Sequence, residues 1–146
     1  LIVGENFQVA TRLISGTYPN YKQIIPTRFV TNAVVNREDL IAAVKATAVF
    51  ARDLGNVVTL NISEKNKMTI SASTLQVGDG TTQLSLEVTG ESLTISFNSH
   101  YFSDGLSALK SEKVKIDFSG QLSPALITST EDPNFAYIVQ PVKAQK

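Results

Sequence analysis

Arg28-Phe-Val-Thr-Asn-Ala-Val-Val-Asn-Arg-Glu-Asp-Leu-Ile-Ala-Ala-Val-Lys-Ala-Thr-Ala48 decides the fold, because it states a strand, a helix start and a buried helical face in one run. The β-branched stretch from Arg28 to Val35 predicts a strand, and Asn36 then offers a side-chain oxygen to the free amides of a first helical turn. Asp39 is placed to reach back to the same amides. Leu40, Ile41, Val44, Thr47 and Ala48 recur at the three-and-four spacing of one helical face, and Gly55 supplies the stop. Strand-like runs follow at Val57 to Ser63, Met68 to Ser73 and Gln83 to Val88. Glu64-Lys-Asn-Lys67 reads as a polar turn and Gly78-Asp-Gly80 as a flexible break.

The chain then repeats itself. Leu93 to Phe97 is an alternating strand that again ends on an asparagine, Asn98. Superposing Asn36 and Asn98 brings Leu40 onto Phe102, Val44 onto Leu106 and Thr47 onto Leu109, which are the same buried face of a second helix. Ser111 to Lys113 is expected to end that helix. Val114 to Phe118, Ala125 to Thr130 and Phe135 to Val142 supply further strands. Two β-α-β-β-β units in tandem predict an α+β domain with its two helices packed together against antiparallel sheets.

Upstream of this pair lies Gly16-Thr-Tyr-Pro-Asn-Tyr-Lys-Gln-Ile-Ile-Pro26, whose prolines stiffen it into an extended connector. Before it stand two expected strands, Leu1 to Ala10 and Thr11 to Ser15, too little chain to bury a core. The chain therefore reads as a piece of something larger, with Leu1 in place of an initiator methionine. The expected division is residues 1–15 as the end of a preceding domain, 16–27 as the connector and 28–146 as the duplicated domain. No apolar run approaches the ~20 residues that cross a bilayer, so no membrane role is expected. Cysteine is absent, which removes disulfides, thiolate nucleophiles and zinc–cysteine sites and suits a cytoplasmic setting. Thirteen Lys and Arg balance thirteen Asp and Glu, so any attraction to nucleic acid has to come from local placement of charge.

Several motifs in register, namely Thr11 to Pro26, Phe97-Asn-Ser-His-Tyr101 leading to Leu106-Ser-Ala-Leu-Lys-Ser111, Leu122-Ser-Pro-Ala125 and Tyr137-Ile-Val-Gln-Pro-Val-Lys143, resemble the bacterial sliding clamp family, the beta subunit of DNA polymerase III. The likeness covers essentially the whole chain. It implies the DNA clamp (processivity) fold, with this chain as the third of three like domains plus the end of the second. It also implies a non-catalytic replication processivity factor in the cytoplasm, associated with the nucleoid. Two full-length subunits of such a clamp close head to tail around duplex DNA and bind it without regard to sequence. Partners implied are the polymerase III catalytic subunit, the clamp loader, and other polymerases and repair proteins carrying short Gln/Leu/Phe motifs. No cofactor is implied. This chain alone is expected to be a monomer.

The resemblance also carries a partner-peptide pocket onto named residues. Pro19, Gln23 and Ile24 come from the connector, and Asn98 and Tyr101 from the start of the second helix. Leu122 and Pro124 precede a strand, and the last strand supplies Ile138, Val139, Gln140, Pro141, Val142 and Lys143. Apolar walls with a few polar groups suit Leu and Phe anchors on a peptide. Val49 and Phe50 match the apolar contact to a neighbouring subunit. The helices carry Arg37, Lys45, Arg52 and Lys110, cations of the kind that phosphates attract, although each is also ordinary for a solvated helix face.

Some positions depart from the family pattern. Gln23 stands where many clamps have Arg, and Gln140 where the family is commonly apolar. The tail continues as Ala144-Gln-Lys146. Leu75 to Thr82 carries Asp79 as its one charge where relatives are acidic, which weakens charge complementarity at a subunit joint. Gln83-Leu-Ser-Leu86 looks like a clamp-binding peptide, but in an alternating strand Leu84 and Leu86 are simply the buried side.

Enzyme readings are thin. His100 is the sole histidine, and Ser107-Ala-Leu-Lys110 matches an S-x-x-K string without its partner strings. Gly78-Asp-Gly80 lacks the ending of a phosphate loop. The competing reading is a stand-alone protein-interaction module with a repeated β-α-β unit and no DNA role.

Overall fold

The computed structural model describes residues 1–18, 20–74 and 78–143. At its start β1 (Ile2–Val3) and β2 (Gln8–Val9) form a short antiparallel hairpin. Thr11 to Ser15, expected as a strand, is not one. A strand needs a neighbouring edge to complete its ladder, and Leu13 and Ile14 instead stand 87% and 97% exposed. The connector carries a 3-10 turn, Tyr21–Gln23.

The first repeat comprises β3 (Thr31–Asn36), α1 (Arg37–Ala48), β4 (Val57–Ser63), β5 (Lys67–Thr74) and β6 (Gly78–Ser85), followed by β7 (Glu87–Gly90). The second comprises β8 (Leu93–Asn98), α2 (Ser99–Ser107), β9 (Lys113–Phe118), β10 (Ala125–Ser129) and β11 (Ala136–Val139). Both asparagines cap as read. Asn36 Oδ1 accepts the amides of Glu38 and Asp39, and Asn98 Oδ1 those of His100 and Tyr101. Each cap is worth about 1 kcal/mol. Past α1 a 3-10 segment, Val49–Leu54, carries the chain to Gly55, whose φ of 71° closes the turn.

All pairings are antiparallel, in two sheets ordered β11-β10-β9-β3-β7 and β6-β5-β4-β8. Each repeat lends its opening strand to the other repeat's sheet, β3 beside β9 and β8 beside β4. The halves are therefore interlocked, and neither closes its sheet alone. The helices pack side by side against the inner faces of the sheets. Leu40, Val44 and Thr47 of α1 are buried, as are Phe102 and Leu106 of α2 and Leu109 just past its end, so both helices face one core. Within it Phe97 and Phe102 stack at 5.1 Å. The fold is α+β.

Three local readings need correction. Gly78–Gly80 is no break but the start of β6, where Gly80 is buried beneath the Phe50 ring and any Cβ would overlap that ring. The run read as one strand from Gln83 to Val88 changes sheets at Leu86. Leu86 turns inward, and β7 crosses to the free edge of β3. Finally α2 ends at Ser107, short of Ser111, because the chain turns there to bury Leu109 and Ser111. Among the described residues no helix is long and apolar enough to cross a membrane.

Candidate functional site

One row of the larger sheet explains where the predicted pocket residues gather. Gly90, Thr31, Phe118, Ala125 and Val139 are aligned across its strands, each paired with the next. Beyond that row the chain leaves the sheet at the same end in several places. The connector arrives at Val30, whose amide bonds to the Phe118 carbonyl at 2.8 Å. Pro124 leads into β10 and Gln140 leads out of β11. Past Gln140, the Val142 amide bonds at 2.8 Å to the carbonyl of Ser96, on the edge of β8, so the C-terminal segment passes from one sheet to the other. Asn98 and α2 follow directly from β8. Residues that are distant in sequence thus converge at one end of the domain.

Their exposure sorts them. Tyr101 is 64% exposed in the first turn of α2, and Leu122 is exposed ahead of β10. Ile138, Pro141 and Val142 are half-buried, whereas Gln140 and Lys143 are exposed. Asn98 is engaged twice, as a cap and through Nδ2 to the Gly55 carbonyl at 3.2 Å. In the connector Gln23 ends the 3-10 turn with its amide on the Asn20 carbonyl, and Ile24 is 48% exposed. Pro19 lies outside the described residues.

Val139 has to be withdrawn as a lining residue. Strand alternation turns it inward opposite Ala125, at 3% exposure, and sends its neighbour Ile138 to the other face. The residues Ile138 to Lys143 therefore cannot all face one groove.

Sequence reasoning missed the joint that holds these parts together. Tyr137 lays its ring on Gly105 of α2, where a Cβ would overlap it, and its hydroxyl donates to the Tyr101 carbonyl at 2.9 Å. Burial is the main cause that raises the Tyr137 phenol pKa, followed by the Asp104 carboxylate and Tyr101. A glycine inside an otherwise apolar-periodic helix was the available signal, since such a glycine marks close packing.

Comparison with known proteins identifies the family. Residues 22–143 match the family model of the DNA polymerase III beta subunit, C-terminal domain. The chain belongs to that family. It is 32% identical to the beta sliding clamp of Synechococcus elongatus over 136 residues, which is 92% of the chain and 36% of the relative. The structure resembles the DNA polymerase III beta subunit of Thermotoga maritima at TM-score 0.86 and 28% identity, covering 92% of this chain and 36% of that one. It resembles a Pseudomonas aeruginosa sliding clamp, solved bound to griselimycin, at TM-score 0.86 and 26% identity, covering 91% and 36%. The chain thus spans about a third of the length of these sliding clamps.

Against the clamp family's other expected contacts, the helix cations divide. Arg37 is committed to the fold, with Nε donating to the Ser111 carbonyl at 2.9 Å and Nη2 paired to Glu38 at 3.2 Å. Lys45 and Arg52 line a depression of about 560 Å³ between the helices, together with Asn56, Ser99, His100 and Asp104. Lys110 lies elsewhere, near Ser129 and Glu131. His100 and Ser107 are both exposed along the interhelical depression. Val49 is 55% exposed beside it, while Phe50 is half-buried against Gly80.

Proposed function

We propose that this chain is the C-terminal part of a ring-shaped replication clamp that docks polymerases, the clamp loader and repair proteins through a peptide pocket. What supports this most is the convergence at the Thr31–Phe118–Ala125–Val139 row. The connector, the Leu122–Pro124 approach and the C-terminal segment all join the sheet at that end. The Val142–Ser96 and Tyr137–Tyr101 bonds tie the last strand and its continuation to β8 and α2, with Tyr101 and Leu122 uncovered. Exposed side chains at Tyr101 and Leu122, with Gln23 and Gln140 exposed on the connector and the C-terminal segment, suit a short peptide with Leu and Phe anchors. Two glutamines in place of a cation and an apolar group favour peptides whose flanking residues are uncharged.

The remaining roles follow the same reading. Residues 1–15 complete a preceding domain, 16–27 connect it, and the clamp domain begins at 28. Duplex DNA passes the helix side, where Lys45 and Arg52 attract phosphates without reading bases. Val49 and Phe50 meet the next subunit of a head-to-tail dimer that acts at the nucleoid in the cytoplasm. The subunit itself makes and breaks no bond.

A labelled peptide of the Gln-x-x-Leu-Phe type, titrated into the chain, is expected to bind with micromolar affinity. Tyr101→Ala and Pro141→Ala are expected to weaken it at least tenfold with the fold intact. Absence of binding to folded protein, or full affinity in both variants, overturns the docking reading. Sedimentation of the chain is expected to show a monomer.

A further inference from the structure

The docking site depends on two pieces of chain that share no covalent neighbourhood, α2 with Tyr101 and the segment that follows β11. Three observations place one side chain between them. The Tyr137 ring rests on Gly105, in a notch that exists because the helix has no Cβ at that position. The Tyr137 hydroxyl reaches one turn back along α2 and donates to the carbonyl of Tyr101. Two residues on from Tyr137, β11 ends its ladder with β10 at Val139, and Gln140 to Lys143 continue from there to be held next by the Val142 amide on Ser96.

We propose that Tyr137 is a positioning residue for partner-peptide binding, setting through the Gly105 notch and its bond to Tyr101 how far α2 stands from the C-terminal segment. This rests on the docking reading above and adds its control element. Tyr137 is half-buried and its hydroxyl bonds to the backbone of Tyr101, so it acts through the geometry of the site and not as a contact to the peptide. A gap between two walls is sensitive to such a spacer, because small misplacements in a preformed site cost affinity out of proportion to their size. Two readouts are expected to move together: the affinity for peptide and the surroundings of the Tyr101 ring.

The test uses the 146-residue chain and the labelled Gln-x-x-Leu-Phe peptide, with fluorotyrosine incorporated so that the Tyr101 ring reports by fluorine resonance. Tyr137→Phe keeps the ring and removes the donor. It is expected to weaken binding about three- to tenfold, the size of one lost hydrogen bond, and to shift the Tyr101 resonance in the free protein. Gly105→Ala fills the notch and is expected to weaken binding further. The same substitution in a Tyr137→Ala background is expected to have little additional effect, since nothing is left to collide with.

All affinities are read at a temperature where circular dichroism shows every variant folded, which separates positioning from stability. Wild-type affinity in Tyr137→Phe with an unmoved Tyr101 resonance overturns the inference while leaving docking intact. Equal effects of Gly105→Ala with and without the Tyr137 ring also overturn it. Failure of the wild-type chain to bind the peptide overturns the docking reading itself, and the inference with it.

Discussion

The two repeats place different side chains at one structural position. In one sheet Ala33, Ile116, Ile127 and Tyr137 form a row, and in the other Ile95, Leu60, Ile70 and Thr82 do. Ala33 and Ile95 each stand three residues before the capping asparagine, so these are the same row of the duplicated unit. The short Thr82 hydroxyl accepts from the buried Thr47 hydroxyl of α1 at 3.1 Å. Tyr137 sends an aromatic ring across a glycine notch to the backbone of α2. The first joint is a direct contact of two short side chains, whereas the second spans to α2 with a large ring and leaves Tyr101 uncovered. The halves diverge again just downstream. After Leu86 the first repeat completes its crossing with β7, paired to β3 from Glu87 to Gly90. After Gln140 the second is tied to β8 by the Val142 amide, next to a proline that has no amide to give. The proposed docking site lies where the duplicated unit leaves its sheet edge unfinished.

The sharpest way to break the comparison is to show that the halves are independent. Phe102 is fully buried and stacked on Phe97, so Phe102→Ala is expected to cost about 3–5 kcal/mol. Because β3 and β8 are exchanged between sheets, the loss is expected in one cooperative transition in urea that includes the first repeat. A curve with two steps, one of them unchanged by the substitution, would show that the interlocking carries no cooperativity.

Next in size is the closed edge. Gly90 holds φ at 104° and packs so closely on the Val30 carbonyl that a Cβ would overlap it. Gly90→Ala is expected to cost about 2–3 kcal/mol through strain and displacement of β7. Gln140→Ala, at the exposed start of the other crossing, is expected to cost less than about 0.5 kcal/mol. Equal thermal shifts for the two would mean that the crossings are energetically alike.

The same contrast marks what was legible in the sequence. Helix faces and caps were readable because their signals are local: Asn36 and Asn98 act within three residues, and the three-and-four spacing of Leu40, Val44 and Thr47 has no other economical meaning. The sheet change at Leu86 was hidden, because alternation continues through it and the pairing partner, β3, lies some fifty residues away. Gly80 was misread for a related reason. A glycine required by the approach of Phe50 and a glycine required by a turn look identical in sequence. The site residues came from resemblance, which carries positions but not directions. Hence the resemblance takes in Val139, which alternation turns into the core, and leaves out Tyr137, whose hydroxyl bonds to the backbone of Tyr101.

The smallest expected effect concerns pH. The Tyr137 phenol is held above its ordinary 10.0 by burial first, then by Asp104 and Tyr101, so the folded state favours the neutral hydroxyl that donates to the Tyr101 carbonyl. Below pH 10 the phenol is neutral in folded and unfolded chains alike, and its contribution is fully present. As pH rises past that value the unfolded chain loses its proton first, so stability falls until the folded-state pKa is passed. Tyr137→Phe removes this titration. The stability difference between the parent chain and Tyr137→Phe is therefore expected to be constant from pH 7 to 9 and to shrink above pH 10, measured by urea denaturation. Thr82 has no group that titrates in this range, so Thr82→Val is expected to show a difference from the parent that is flat throughout. A parallel pH profile for the two variants would mean that the joint at Tyr137 is no more than a larger copy of the joint at Thr82.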